Sequence, residues 1–139
     1  MSKSAYFRNA LLLEIFNGDE RAIPDVIAQP NLWVSLHTEL LGDSADQSTD
    51  EVAYTGYTRV AVPRTGEWWN VGANAASLLQ TINFPLCTAP SSAVVVAAGI
   101  GLNETGAGRL LYRLSLSNTI QVQETFFPSL LPDGTITET

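Results

Sequence analysis

Reactive side chains are scarce in this 139-residue chain: it holds one cysteine, Cys87, and one histidine, His37. A single cysteine excludes any intrachain disulfide and fits assembly in the cytoplasm of a cell. A zinc site needs three or four His, Cys or carboxylate ligands at fixed spacing, and one His and one Cys fifty residues apart do not supply it. Lysine is nearly missing as well. Lys3 stands alone beside six scattered arginines, against fourteen acidic residues, for a net charge of −7. Nucleic-acid binding requires clustered cations to neutralise phosphates, so DNA and RNA are set aside. The same acidity disfavours anionic lipid. No run of eighteen apolar residues exists, and the apolar stretch from Ala10 stops at Glu14, so neither a membrane span nor a signal peptide is expected.

Charged residues make up 15% of the chain and apolar residues 45%, a low-charge balance suited to a protein that covers part of its surface with copies of itself or a partner. The length is that of one domain, 1–139, large enough to bury a core without metal or disulfide staples.

Residues 1–18 read as a helix. Ser4 is a candidate N-cap, Phe7, Leu11, Leu12, Ile15 and Phe16 recur at helical spacing, and Asn17-Gly18 is a stop signal. Residues 19–30 carry Pro24 and Pro30 and read as a connector, with room for one helical turn near Asp25 to Ala28. From Asn31 the period becomes that of strands. Leu32 to Thr38 alternates, and residues 42–51 are polar and acidic and read as an exposed loop. Tyr57 to Val62 is a second strand closed by Pro63. Trp68-Trp69 precede a Gly/Asn/Ala-rich passage, and Thr81 to Phe84 form a third strand. Ala93 to Ala98 have the apolar continuity of a strand buried on both faces. Leu110 to Leu116 and Ile120 to Gln123 are two more strands, separated by a turn at Asn118-Thr119. Thr135 to Thr137 would be a last short one. Residues 31–139 are therefore expected to form an antiparallel β-sandwich or partly open barrel behind one N-terminal α-helix, a mainly β fold.

No motif completes a catalytic set. His37 has no Gly-x-Ser-x-Gly elbow to serve, and on a strand face it reads as an ordinary core histidine. Asp43, Asp46, Asp50 and Glu51 share a loop, but no glycine sits where a calcium loop turns sharply, so a solvated loop is expected. Gly99-Ile100-Gly101 lacks the third glycine of a dinucleotide fingerprint, since Glu104 stands in that place; these glycines are expected to end a strand or permit a bulge. Cys87, in an apolar run, reads as buried filler. No enzyme activity, catalytic residue, cofactor or metal is expected. The residues that invite contact are Phe7 and Leu11 on the helix and Tyr57, Trp68 and Trp69, which serve either as interface anchors or as an aromatic platform for sugar.

The order of segments resembles a family of small tailed-phage virion proteins, tail fibre-like or capsid-decorating. The resemblance runs through the helix Ala10 to Phe16, the strand Leu32 to Thr38 and Gly56-Tyr57-Thr58-Arg59-Val60. It continues through Trp68-Trp69, Ile82-Asn83-Phe84-Pro85, the glycine-flanked loop before Leu110-Leu111-Tyr112, and Phe126-Phe127-Pro128. The chain departs from the family pattern at Ala93 to Gly101 and in the extension Leu130-Leu131-Pro132. The resemblance implies an accessory virion subunit, assembled in the host cytoplasm, that decorates or cements the capsid or attaches to the tail. Its partners would be major capsid or tail subunits and copies of itself. The alternative is a host-glycan-binding module of a tail or head fibre.

Overall fold

A computed structural model describes residues 2–17, 29–72, 75–132 and 135–137. Among them one helix and ten strands follow in the order β1 (Ser2–Lys3), α1 (Ala5–Asn17), β2 (Asn31–His37), β3 (Val60–Pro63), β4 (Trp69–Gly72), β5 (Ala75–Leu78), β6 (Ile82–Asn83), β7 (Val94–Gly101), β8 (Leu110–Gln121), β9 (Ser129–Leu130) and β10 (Thr135–Thr137). Three sheets result, ordered β1-β8-β7-β2-β3, β10-β5-β4 and β6-β9. Every pairing is antiparallel. The fold is mainly β, with no closed barrel.

The period-two pattern of β2 sets up two differently covered faces. Leu36 pairs with Ala98 and Val34 with Ile100, and all four sit in the main core with Val62, Val95, Val122, Leu78, Ile82 and Phe84. That face is covered by the smaller sheets and by the segments around Val52–Tyr54 and Phe84–Cys87. Cys87 is fully buried there. The opposite face carries Trp33, Ser35 and His37, level with Gly101, Gly99 and Ala97. The segment from Thr38 to Val52 crosses this side, placing Leu41 and Ala45 against Ala97 and Leu110.

Several elements differ from the sequence expectation, each for a local reason. The 42–51 segment is exposed at Asp43, Ser44 and Ser48, but Gln47 is fully buried. β3 begins at Val60 rather than Tyr57, because Tyr57 and Arg59 are engaged elsewhere. The passage after Trp68-Trp69 is a hairpin, β4–β5, in register Trp69↔Leu78 to Gly72↔Ala75. Gly101 ends β7 as expected, with a register shift between Ile100 and Gly101, while Gly99 lies inside the strand. The two strands expected at 110–116 and 120–123 are one, β8. Its partners jump from Ala97↔Ser115 to Val95↔Ile120, so residues 116–119 bulge against Val96 alone. Asn118-Thr119 thus bend the strand without reversing it, as an extra-residue bulge does. β9 had no signal, being two residues long. Ser4 caps α1 through Phe7 N–H at 3.2 Å. Gly18 and most of the 19–30 connector, with its suggested turn at 25–28, lie outside the described residues.

Candidate functional site

The Gly56-Tyr57-Thr58-Arg59-Val60 phrase builds a buried polar lock. Gly56 has a φ of 99°, a left-handed conformation, and a Cβ there would press on the Leu86 carbonyl. This turn aims Tyr57 and Arg59, two residues apart, at one carboxylate. Arg59 Nε and Nη2 donate to Glu51 Oε1 and Oε2, both at 2.7 Å, and Tyr57 Oη–H donates to Oε1 at 2.7 Å. The remaining guanidinium hydrogens reach the carbonyls of Asn103 (3.0 Å) and Gly106 (2.6 Å). Tyr57 also accepts from Leu36 N–H at 3.1 Å. Its ring meets Tyr54 edge-on and stacks on Phe84. The Arg59 side chain is 3% exposed and Glu51 17%. Burial pushes the Tyr57 phenol far above its ordinary range, and Tyr54 to about 12. Arg59, held by Glu51, thus ties the 38–59 crossover to the 102–109 turn.

A second tie joins the same two loops. Gln47 receives Asn103 N–H on Oε1 (3.0 Å) and donates to the Trp33 carbonyl (3.3 Å), while its own N–H reaches Gly108 O (2.9 Å). A Cβ at Gly101 or Gly108 would collide with the Gln47 side chain. Those glycines are the notch into which the side chain fits.

Ser35 and His37 form a dyad with both residues fully buried. Ser35 Oγ lies 2.8 Å from His37 Nε2, and His37 Nδ1 lies 2.7 Å from the Thr49 carbonyl. A carbonyl only accepts, so Nδ1 carries the hydrogen and Nε2 accepts from the serine. No carboxylate orients the ring as in a hydrolytic triad, and the hydroxyl is sealed from any substrate. Desolvation lowers the His37 pKa.

The acidic loop satisfies itself internally. Asp46 accepts from Ser48 N–H (2.7 Å) and Ser48 Oγ–H (2.6 Å), and these bonds hold its pKa below the usual carboxylate range. Asp43 pairs with Arg8 and Arg113. Among the described residues no group of three or more His, Cys, Asp or Glu is arranged to hold a metal ion. No described helix is long and apolar enough to cross a membrane.

The five contact candidates do not meet in one exposed platform. Tyr57, Trp68 and Trp69 are partly buried and pack against the main core. Trp69 stands between two clefts. One, of about 430 Å³, is lined by Leu78, Ile82, Leu114, Leu116 and the bulge at Ser117-Asn118. The other, of about 700 Å³, is lined by Arg64, Thr65, Val71, Ala76 and Tyr112. Phe7 meets Tyr112 edge-on at 5.4 Å between ring centroids, and Leu11 is half-buried. The first turn of α1 is held closely: Arg109 lies over the Tyr6 ring, Arg8 Nη1 donates to Asp43 Oδ1 at 2.8 Å, and Ala5 N–H reaches Asp43 O. At the far end Phe16 is 76% exposed. Leu86, Phe126 and Phe127 form a second apolar surface where residues 84–87 pair with 126–128.

Sequence reasoning named Tyr57 but missed its partners Arg59 and Glu51, as well as Gln47. The alternate spacing of Tyr57 and Arg59, and of Gly99 and Gly101, was the available signal.

The sequence was also compared with known proteins. No curated protein matches it. Residues 2–132 match the family described as podophage GP4 fiber I protein gp80. With nearly its whole length matched, the chain belongs to the podophage GP4 fiber I protein gp80 family, a fibre-type structural protein of the phage virion.

Proposed function

We propose that the chain is a non-catalytic building subunit that joins copies of itself, and neighbouring virion proteins, through α1, and so decorates or cements the particle at the capsid or tail. The observation that carries this reading is the form of α1. From Ala10 to Phe16 six of seven residues are apolar, and Phe16 is 76% exposed, while the start of the helix is braced by the body. An apolar helix end that leaves a phenylalanine in water is a surface suited to a neighbouring subunit. Charge agrees. Residues 2–17 hold Lys3, Arg8 and Glu14, whereas the chain as a whole is at −7. The N-terminal segment is where copies meet without mutual repulsion. The chemistry-bearing residues support a structural role, since Ser35, His37, Glu51 and Arg59 are all consumed by bonds that hold loops.

Multi-angle light scattering of the purified chain tests the assembly. The expected mass is a small multiple of 15.0 kDa, falling to one copy in Leu11→Glu/Phe16→Glu with unchanged circular dichroism. A monomeric wild type, or an unaffected double variant, would refute this role for α1.

A second reading, host-glycan binding, draws on the cleft beside Trp69, Arg64 and Tyr112. It loses Tyr57, whose ring and hydroxyl are committed to the core. Glycan-array binding abolished by Trp69→Ala would favour it; an array without signal would remove it.

A further inference from the structure

The only histidine of the chain sits where the crossover leaves the main sheet. His37 closes β2, and the crossover begins at the next residue. Its ring is one of the side-chain ties on the crossover, beside Gln47 and Glu51: Nδ1–H donates to Thr49 O at 2.7 Å, and Nε2 accepts from Ser35 at 2.8 Å. Around it the backbone adds Thr38 N–H to Asp50 O and Val52 N–H to Leu36 O, both at 2.9 Å. The crossover in turn carries Asp43, which braces the first turn of α1 through Arg8 and Ala5, and also meets Arg113. A continuous chain of contacts therefore runs from the imidazole to the helix.

We propose that His37 is an acid-sensitive latch: adding a proton to its buried ring releases the 39–51 crossover from the sheet, and with it the Asp43 brace on α1.

The chemistry follows from the hydrogen-bond roles. In the closed form Nε2 offers a lone pair to the serine hydroxyl. A proton on Nε2 turns that acceptor into a donor, so Ser35 must turn its own hydrogen away inside a site with no solvent. The cation is also placed against Gly99 of β7, beside the apolar Leu110 side chain. Burial is the largest influence on the ring and opposes the charge. Among the facing charged groups, Glu51 and Asp50 favour it and Arg59 opposes it, while Glu51 is already engaged by Arg59 and Tyr57. The ring is thus harder to protonate when latched than when the loop is open. The sign follows by linkage. The open form takes up a proton below the ordinary histidine value of about 6.5, and the closed form only at lower pH. The latch is therefore fully effective above that value. Between the two values the open-to-closed ratio rises by up to about tenfold for each unit of falling pH.

The test is amide hydrogen exchange of residues 39–51 against the β7 core, corrected for intrinsic rates, between pH 7 and pH 4.5, together with NMR of the single histidine ring. In the wild type, loop opening should increase by up to about tenfold per pH unit below about 6.5, while β7 stays protected and the ring of the closed form takes up its proton only at lower pH. In His37→Asn the amide can keep the donor to Thr49 O and cannot titrate, so the slope should vanish over this range. The same slope in His37→Asn would overturn the latch. Should that variant not fold, the wild type decides alone: loop opening that does not rise with falling pH, or a ring that titrates at the ordinary histidine value of about 6.5, is equally fatal.

Discussion

Replacing Arg59 by methionine, which keeps much of its length and removes its charge, is the most severe test of the lock at Glu51. Three consequences follow together. Glu51 is left as a carboxylate only 17% exposed with no cation beside it. The carbonyls of Asn103 and Gly106 lose their Arg59 donor, Gly106 keeping the Gly108 N–H. Tyr57 keeps its bond to Glu51, which is then its only side-chain partner. Breaking one partner out of a buried ion pair costs about 3–5 kcal/mol, and the residual exposure of Glu51 places this case near about 3 kcal/mol on that scale. Each kcal/mol shifts the melting temperature of a domain this size by roughly 3–5 °C, so the expected drop is about 10 °C. Urea titration by circular dichroism reads the loss, and a double-mutant cycle with Glu51→Gln isolates the pair. The cycle should show strong coupling, because each single variant strands the other's partner. A loss below about 1 kcal/mol, the worth of a surface pair, or an absent coupling, would refute the description of Glu51 and Arg59 as a buried lock.

The remaining expectations are smaller or more local. Gly101→Ala forces Gln47 from its notch and should cost about 1–3 kcal/mol, the scale of overpacking, with raised exchange of Asn103 N–H read by NMR. Leu36→Ala, at a fully buried core position, should cost about 2–5 kcal/mol by urea titration. Asp43→Asn should leave the melting temperature of the body unchanged, since its pair with Arg8 is open to solvent and screened, but should raise exchange at the start of α1. Stability should fall as pH drops below about 6.5, where the unfolded His37 binds a proton before the folded one does. It should fall again below about 3.9, as Asp43 and Asp46, whose folded values are lowered, lose their charge.

Much of the scaffold was legible because burial leaves a period in the sequence. Leu32 to His37 alternate so clearly that both the strand and its two faces could be read directly. Ser4 and Asn17 bounded the helix by capping chemistry. What escaped was set by long-range pairing. β9 is two residues held by Ile82 and Asn83, and no local pattern specifies so short an element. The β8 bulge looked like a hairpin turn because Asn118-Thr119 supply turn residues in either case; only the register against Val95 and Ala97 separates the two. Gln47, in a run of Asp, Ser and Thr, looked solvated, and its burial follows from glycines more than fifty residues away. The exposed surface was least legible of all. Neither the helical spacing of Phe16 nor the Phe126-Phe127-Pro128 run says which side chains stay outside, and only the packed structure shows Phe16 and Phe127 exposed.

The central claim, that this chain is a structural subunit of a phage fibre, is tested most directly by locating it on intact particles. Cryo-electron microscopy of virions, with the polypeptide quantified by mass spectrometry, should find it at a fixed copy number, at symmetric positions, with α1 in contact with a neighbouring subunit. Purified particles that lack the polypeptide would contradict the claim.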